Sequence, residues 1–344
     1  MMGERVLSIN FHPDEATSLA NISTRNAEYF NQRNDPTYEL ETIEPAYASP
    51  RKNSFGISNV AGTAESTGYA SPALGDIDGD GDLDLFIGNY YGNTFYFKNT
   101  GSATNPSFAP YKENPFGISN MAGGVLGIVG DASPALGDID ADGDLDLFIG
   151  NDYGNTFYFE NTGSTTNPSF APYKKNPFGI INVVSSFPKY GSTSPALGDI
   201  DADGDLDLFI GNDYGNTFYF KNTGSATNPS FAPYKENPFG ISNVAEEWSH
   251  QGNVSPALVD PGAEGDQGNA SPALGDIEGD DDLDLFIGNY YGNTFYFKNT
   301  GSATNPSFSP HTKNPLGINS GYAAPALGDI DGDGDLDLFI GNSD

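Results

Sequence analysis

The chain has 344 residues, 37% of them hydrophobic and 13% aromatic, which is enough apolar surface for a sizeable core and argues against disorder. Its 47 acidic residues against 14 basic ones give a formal charge of −33, which makes nucleic acid an unsuitable partner, and no apolar run approaches the ~18 residues of a membrane span. Cysteine is absent, so a disulfide framework and a thiolate metal site are both excluded.

In chain order, the opening "MMGERVLSINFHPDE" lacks the apolar core of a secretory signal. Residues 1–36 stand outside the repeats that follow and form an extension of unassigned role. Within it "PDEATSLANISTRNAEYF" permits a short amphipathic helix with Leu19, Ile22, Tyr29 and Phe30 on one side. Residues 37–344 are repetitive. The stretch "GDIDGDGDLDLFIGN" at 75 returns as "GDIDADGDLDLFIGN" at 137 and 198, "GDIEGDDDLDLFIGN" at 275 and "GDIDGDGDLDLFIGN" at 328. A period of about 60 residues with near-identical units indicates a repeat architecture.

Within the first unit, "SPALGDID" and "LDLFIGN" read as two strands around an acidic loop. "NTFYFKN" reads as a third, with Phe95 and Phe97 on one face and Tyr96 on the other, and "PSFAPY" as a short fourth. Four strands per unit, Gly and Asn at the turns and no helical period predict an all-β fold: a β-propeller of five four-stranded antiparallel blades. The last unit stops after its second strand, at "DLDLFIGNSD". Residues 37–59, "TYELETIEPAYASPRKNSFGISN", parallel the third and fourth strands of a full unit. The ring is therefore expected to close through a blade shared by both ends, with residues 37–50 beside 336–342, which removes free edges.

The acidic loop has the pattern D-x-D-x-D-G-x-x-D. Asp76, Asp78, Asp80, Asp82 and Asp84 occupy its positions 1, 3, 5, 7 and 9, and Gly81 supplies a left-handed bend. So many hard oxygen donors around a small sphere suit Ca²⁺, with position 7 offering a backbone carbonyl. Position 12, where an EF-hand needs Glu, is Ile87, so Asp84 is the candidate bidentate ligand. The counterparts are Asp138, Asp140, Asp142, Asp144 and Asp146; Asp199, Asp201, Asp203, Asp205 and Asp207; Asp276, Glu278, Asp280, Asp282 and Asp284; and Asp329, Asp331, Asp333, Asp335 and Asp337. About one Ca²⁺ per blade is expected. The fourth loop departs from the rest, because Glu278 replaces Asp and Asp281 replaces Gly.

Loops of this kind followed by "LDLFIGN" in ~60-residue units resemble the FG-GAP/VCBS repeats of integrin α-subunit propellers and of bacterial surface and secreted proteins. The resemblance covers residues 37–344. It implies a Ca²⁺ loop between the first two strands of each blade on one face, partners on the opposite face, and an extracellular or cell-surface setting.

The units differ most in the connectors between blades, such as "AEEWSHQGNVSPALVDPGAEGDQGNA" at 245, and variation in one set of loops on a fixed scaffold is how a binding surface is built. The turns between second and third strands lie on the same face. Candidate ligand-binding residues are therefore Tyr90, Tyr91, Asp152, Asp213, Tyr290 and Tyr291, with Trp248 in the longest connector. Tyr91 and its equivalents recur in every complete unit and serve packing between blades equally well. His12, His250 and His311 lie in unrelated contexts, and neither a serine nucleophile elbow nor HExxH is present. A monomeric, non-enzymatic adhesion or binding module for a protein or glycan is expected, with a lectin, or an accessory domain of a polysaccharide-acting enzyme, as the alternative.

Overall fold

A computed structural model describes residues 6–8, 51–60, 69–102, 104–121, 130–183, 191–225, 227–245, 270–315, 317 and 322–342, the first three as backbone only. In the first repeat, β2 (Ala70–Gly75) runs into the acidic loop and returns as β3 (Asp84–Asn89), with Ala70 opposite Asn89 and Gly75 opposite Asp84. A tight turn leads to β4 (Thr94–Phe97), and a longer return to the two-residue edge strand β5 (Lys112–Glu113). Neighbouring strands within the four complete blades are antiparallel. The second blade is β6 (Ser133–Gly137), β7 (Asp146–Gly150), β8 (Thr156–Phe159) and β9 (Lys174–Lys175). The third is β10 (Thr193–Gly198), β11 (Asp207–Asn212), β12 (Thr217–Phe220) and β13 (Lys235–Glu236). The fourth is β14 (Ser271–Gly275), β15 (Asp284–Gly288), β16 (Thr294–Phe297) and β17 (Thr312–Lys313).

A fifth sheet holds β18 (Ala324–Gly328), β19 (Asp337–Gly341) and β1 (Val6–Ser8), the last running parallel to β19. Residues 37–50, expected in that place, lie outside the described residues. The innermost strands pack in cyclic order, β2 on β6, β6 on β10, β10 on β14, β14 on β18, and β18 back on β2. The protein is an all-β propeller with four complete blades and a partial fifth.

Two features of each repeat weld a blade to its neighbour. The glycine of "LFIGN" faces the backbone of the next inner strand so closely that a Cβ on Gly88 would stand 1.9 Å from the Ala132 carbonyl oxygen. The same approach closes the circle, where a Cβ on Gly341 would stand 1.9 Å from the Ala70 carbonyl oxygen and the Ala70 N–H donates to the Asn342 carbonyl at 3.0 Å. The second feature is the Phe-Gly turn near the end of each unit. Its phenylalanine carbonyl accepts an N–H from the following blade, Phe108 to Phe55 at 2.7 Å, Phe170 to Phe116 at 2.9 Å, Phe231 to Phe178 at 2.7 Å and Phe308 to Phe239 at 2.7 Å.

The apolar core is correspondingly divided into layers between blades. Leu85, Ile87, Phe95 and Phe97 of the first blade pack with Ala326, Ile330 and Phe339 of the fifth, and Ile57 and Val60 from the N-terminal region share that layer. Ile118 and Met121 have the corresponding place between the first and second blades. The fourth strand differs from the sequence reading. "PSFAPY" contributes only a single bridge, Phe108 to Asn99, and the strand proper is the dipeptide that follows. Pro106 and Pro110 lack the N–H that a continuous ladder requires.

Candidate functional site

The acidic loops join first to second strands and so all lie at one end of the blades. In the first, both oxygens of Asp76 accept backbone N–H bonds across the loop, from Asp80 at 3.1 Å and Gly81 at 2.9 Å, and the Asp82 N–H closes on Asp80 Oδ1 at 3.2 Å. Gly81 sits at φ 90 as expected, but position 4 is left-handed too, including Ala141 (φ 54) and Ala202 (φ 53). This folding brings oxygens of Asp76, Asp78 and Asp80 within 4.8 Å of one another, and the same holds for Asp138, Asp140 and Asp142, for Asp199, Asp201 and Asp203, and for Asp329, Asp331 and Asp333. One oxygen of Asp78, of Asp140 and of Asp201 is buried without a hydrogen-bond donor. Convergent carboxylates with a desolvated, unsatisfied oxygen are what a hard divalent cation neutralises, so these loops fit Ca²⁺.

The fourth loop is not among the converging groups. Glu278 turns away to accept from Tyr296 Oη at 2.7 Å and from Lys298 at 2.8 Å, while Asp281 takes the left-handed position at φ 68. Asp280 and Asp282 keep the loop bond of the other units, at 3.2 Å.

The position-9 aspartates are set beneath the loops. Asp84 is fully buried and accepts from the Asn99 N–H at 2.7 Å and Tyr96 Oη at 2.9 Å, fastening the start of β3 to the end of β4. Asp146, Asp207 and Asp284 are held alike, and Asp337 accepts from the Ile330 N–H at 3.3 Å. Burial pushes these carboxyls up, Asp84 and Asp146 to about 7, Asp207 to about 6 and Asp284 to about 8. Position 7 contributes its N–H to position 5 in every loop, through Asp82, Asp144, Asp205, Asp282 and Asp335.

One side chain outside the motif distinguishes the loops. Lys98 reaches into the first, pairing with Asp78 and, at 2.9 Å, with Asp80, which its hydrogen bond holds below the usual carboxylate range. Lys221 does the same in the third loop, to Asp201 and to Asp203 at 2.9 Å. In the second blade this position is Glu160, which pairs with Lys174 at 2.7 Å, so among the described residues no lysine stands in the Asp138 loop as Lys98 does in the first.

At the opposite end the blades converge on the ring axis. Tyr69, Asp131, Ser192 and Tyr322 each stand one or two residues before an innermost strand, and the second-to-third-strand turns interleave with them through Tyr90, Asp152, Asp213 and Tyr290. The Asp131 N–H donates to the Tyr90 carbonyl at 3.2 Å, and that of Tyr322 to the Tyr290 carbonyl at 2.9 Å. One half of the ring is aromatic: Tyr69 lies 4.7 Å from Tyr322, 5.3 Å from Tyr90 and 6.4 Å from Tyr290 between ring centroids. Tyr91 and Tyr291 stack edge-on behind Tyr90 and Tyr290, at 5.5 and 5.6 Å. The other half is acidic. Ser192 Oγ donates within reach of Asp131 and Asp152, at 2.9 Å from each, and the Ser192 N–H bonds Asp213 at 2.7 Å. Burial and the neighbouring carboxylates raise Asp131 well above its ordinary value, and burial raises Asp213 to about 7. Below the ring, Ser71, Ser133 and Ser194 hydrogen-bond in a row across three blades, at 2.9 and 3.0 Å.

Tyr90, Asp152, Asp213 and Tyr290, selected from the sequence as turn residues, are thus gathered around one mouth. Trp248 and most connector residues lie outside the described residues. Sequence reading passed over Tyr69, Asp131, Ser192 and Tyr322. Their signal is the one variable letter before an otherwise constant "A-S-P-A-L-G-D" or its near copy.

No curated protein matches the chain. Among solved structures, it is similar to BBS1N in complex with ARL6DN, soaked with lead, at 12% identity and a TM-score of 0.34, over 78% of this chain and 62% of that one. It is also similar to the periplasmic gluconolactonase PpgL of Pseudomonas aeruginosa, at 13% identity and a TM-score of 0.35, over 87% and 64%. The chain spans less than two thirds of the length of either. Residues 138–210 and 276–340 match the FG-GAP-like repeat, and residues 68–104 match the FG-GAP repeat. With the acidic loops and the ring of antiparallel blades already in place, these matches establish that the chain belongs to the FG-GAP repeat β-propellers.

Proposed function

We propose that the protein is a calcium-stabilised, non-enzymatic binding or adhesion module that takes a protein or glycan ligand on the face opposite its acidic loops. The observation that carries this reading is the gathering of Tyr90, Tyr290, Asp152 and Asp213, with Tyr69 and Asp131, at the axial mouth of that face. Aromatic rings beside fixed polar groups give contact area together with orientation. Calcium at the other end stiffens the scaffold without entering the ligand site. An extracellular or cell-surface setting suits this use, because Ca²⁺ there is high enough to load modest sites. Among the described residues, no helix is long and apolar enough to cross a membrane.

We further propose that the ring closes as a fifth blade shared by both ends of the chain, supported by Ile57 and Val60 packing with Ala326, Ile330 and Phe339. A lectin is the narrower form of the ligand reading, since tyrosine faces stack on sugar rings. Arrays of glycans and matrix proteins probed with the calcium-loaded chain test it. Binding lost in Tyr90→Ala and Tyr290→Ala is the expected result. Turnover of a polysaccharide, measured by released reducing ends, would favour the enzyme-accessory alternative instead.

A further inference from the structure

We propose that the axial mouth binds a primary ammonium group, seated between the tyrosines and the aspartates. This specifies the ligand chemistry of the site proposed above and rests on that reading. Tyr69 and Tyr322 wall a small cavity on one side, Asp131 and Ser192 on the other, with Ser71 and Ser133 beneath. Its volume of about 10 Å³ admits one group the size of a water molecule, which is the size of an ammonium head and too small for a sugar ring.

The decisive atom is Asp131 Oδ1. It is buried and has no hydrogen-bond donor, while its partner Oδ2 takes the Ser192 hydroxyl. Asp152 Oδ1 competes for the same hydroxyl, whose single hydrogen serves one of the two carboxyls at a time, and Asp213 accepts from the Ser192 N–H, so three carboxyls surround one donor residue. Among the described residues, no lysine or arginine lines the cavity. Burial and the neighbouring acids favour the neutral form of Asp131, and a cationic donor beside that oxygen would hold the group in its charged form. These three carboxylates are not among the groups whose oxygens converge within 4.8 Å, unlike the loop triads, so they do not form a compact divalent-metal site. The aromatic half supplies what an organic cation uses in addition, the negative faces and hydroxyls of tyrosine. The ammonium can belong to an amino sugar, a lysine side chain of a protein partner, or a free polyamine.

Calorimetric titration of the calcium-loaded full chain with glucosamine, Nα-acetyl-lysine amide and 1,4-diaminobutane, each against its N-acetylated counterpart, tests the proposal. The free amines are expected to bind and the acetylated forms to fail, with the tightest amine identifying the source. Asp131→Asn keeps the shape and tolerates the left-handed backbone at this residue (φ 31), so it should fold while weakening amine binding by about tenfold or more. Equal binding of amines and acetylated counterparts, amine binding unchanged in Asp131→Asn, or no amine binding at all would overturn the proposal. In each of those cases, glycan or protein binding that still depends on Tyr90 would preserve the broader ligand-binding reading, so the two fail separately.

Discussion

At Asp213 the carboxyl accepts the Ser192 N–H yet is cut off from water and lies close to Asp152, which together push it from an ordinary 3.8 to about 7. Asp131 stands on the far side of Ser192, and Tyr322 faces the same group of acids. A carboxyl raised by folding is protonated in the folded chain at pH values where the unfolded chain has already lost the proton. Stability therefore falls as pH rises from about 4 to about 7, and the whole penalty is present above that. Asp213→Asn keeps the acceptor and removes the charge. It is expected to raise stability at pH 8 by about 2–4 kcal/mol and to change little at pH 4, measured by thermal melts in calcium. Equal effects at both pH values would show that the buried charge is not the cause.

The inner strands owe their close approach to a glycine in each "LFIGN", and Gly341 makes that approach across the junction between the fifth and first blades. Gly341→Ala would drive a methyl group into the Ala70 carbonyl, at an expected cost of about 3 kcal/mol, read as a lowered denaturation midpoint. An unchanged midpoint would mean the blades do not meet there in solution. The repeat period and the alternation of "TFYF" made the blades legible in the sequence, because each strand's burial is set within a few residues of itself. The loop carboxylates were legible for the same reason, their spacing being local. The fourth strand was misplaced because its residues have β character while its prolines deny it a ladder. The axial ring was not legible, since Tyr69, Asp131, Ser192 and Tyr322 are neighbours only through the circular arrangement, each about one repeat from the next or further.

For the propeller as a whole, whose formal charge is −33, the five acidic loops hold 26 of the 47 acidic residues, so an ion bound to the folded chain stabilises it at every loop it fills. At a free concentration of 100 times its dissociation constant, each independent site adds about 2.7 kcal/mol. Chelation is expected to lower the melting temperature by many degrees and broaden the transition, and the second loop, beside Glu160 rather than a lysine, should be the last to empty. A melt unmoved by chelator would leave the loops without a stabilising ion. The uniformity that makes the ring regular has another side. Thr-Phe-Tyr-Phe is identical in the four complete blades, and Asp-Leu-Phe-Ile-Gly in all five. Shape therefore gives a strand no means of telling its own partner from the corresponding strand of another blade. What assigns it is tether length, because the short acidic loop holds the rightful neighbour at far higher local concentration than any rival. The few letters that vary, at the axis, in the connectors and beside the loops, are then the only marks of address in a molecule otherwise written five times.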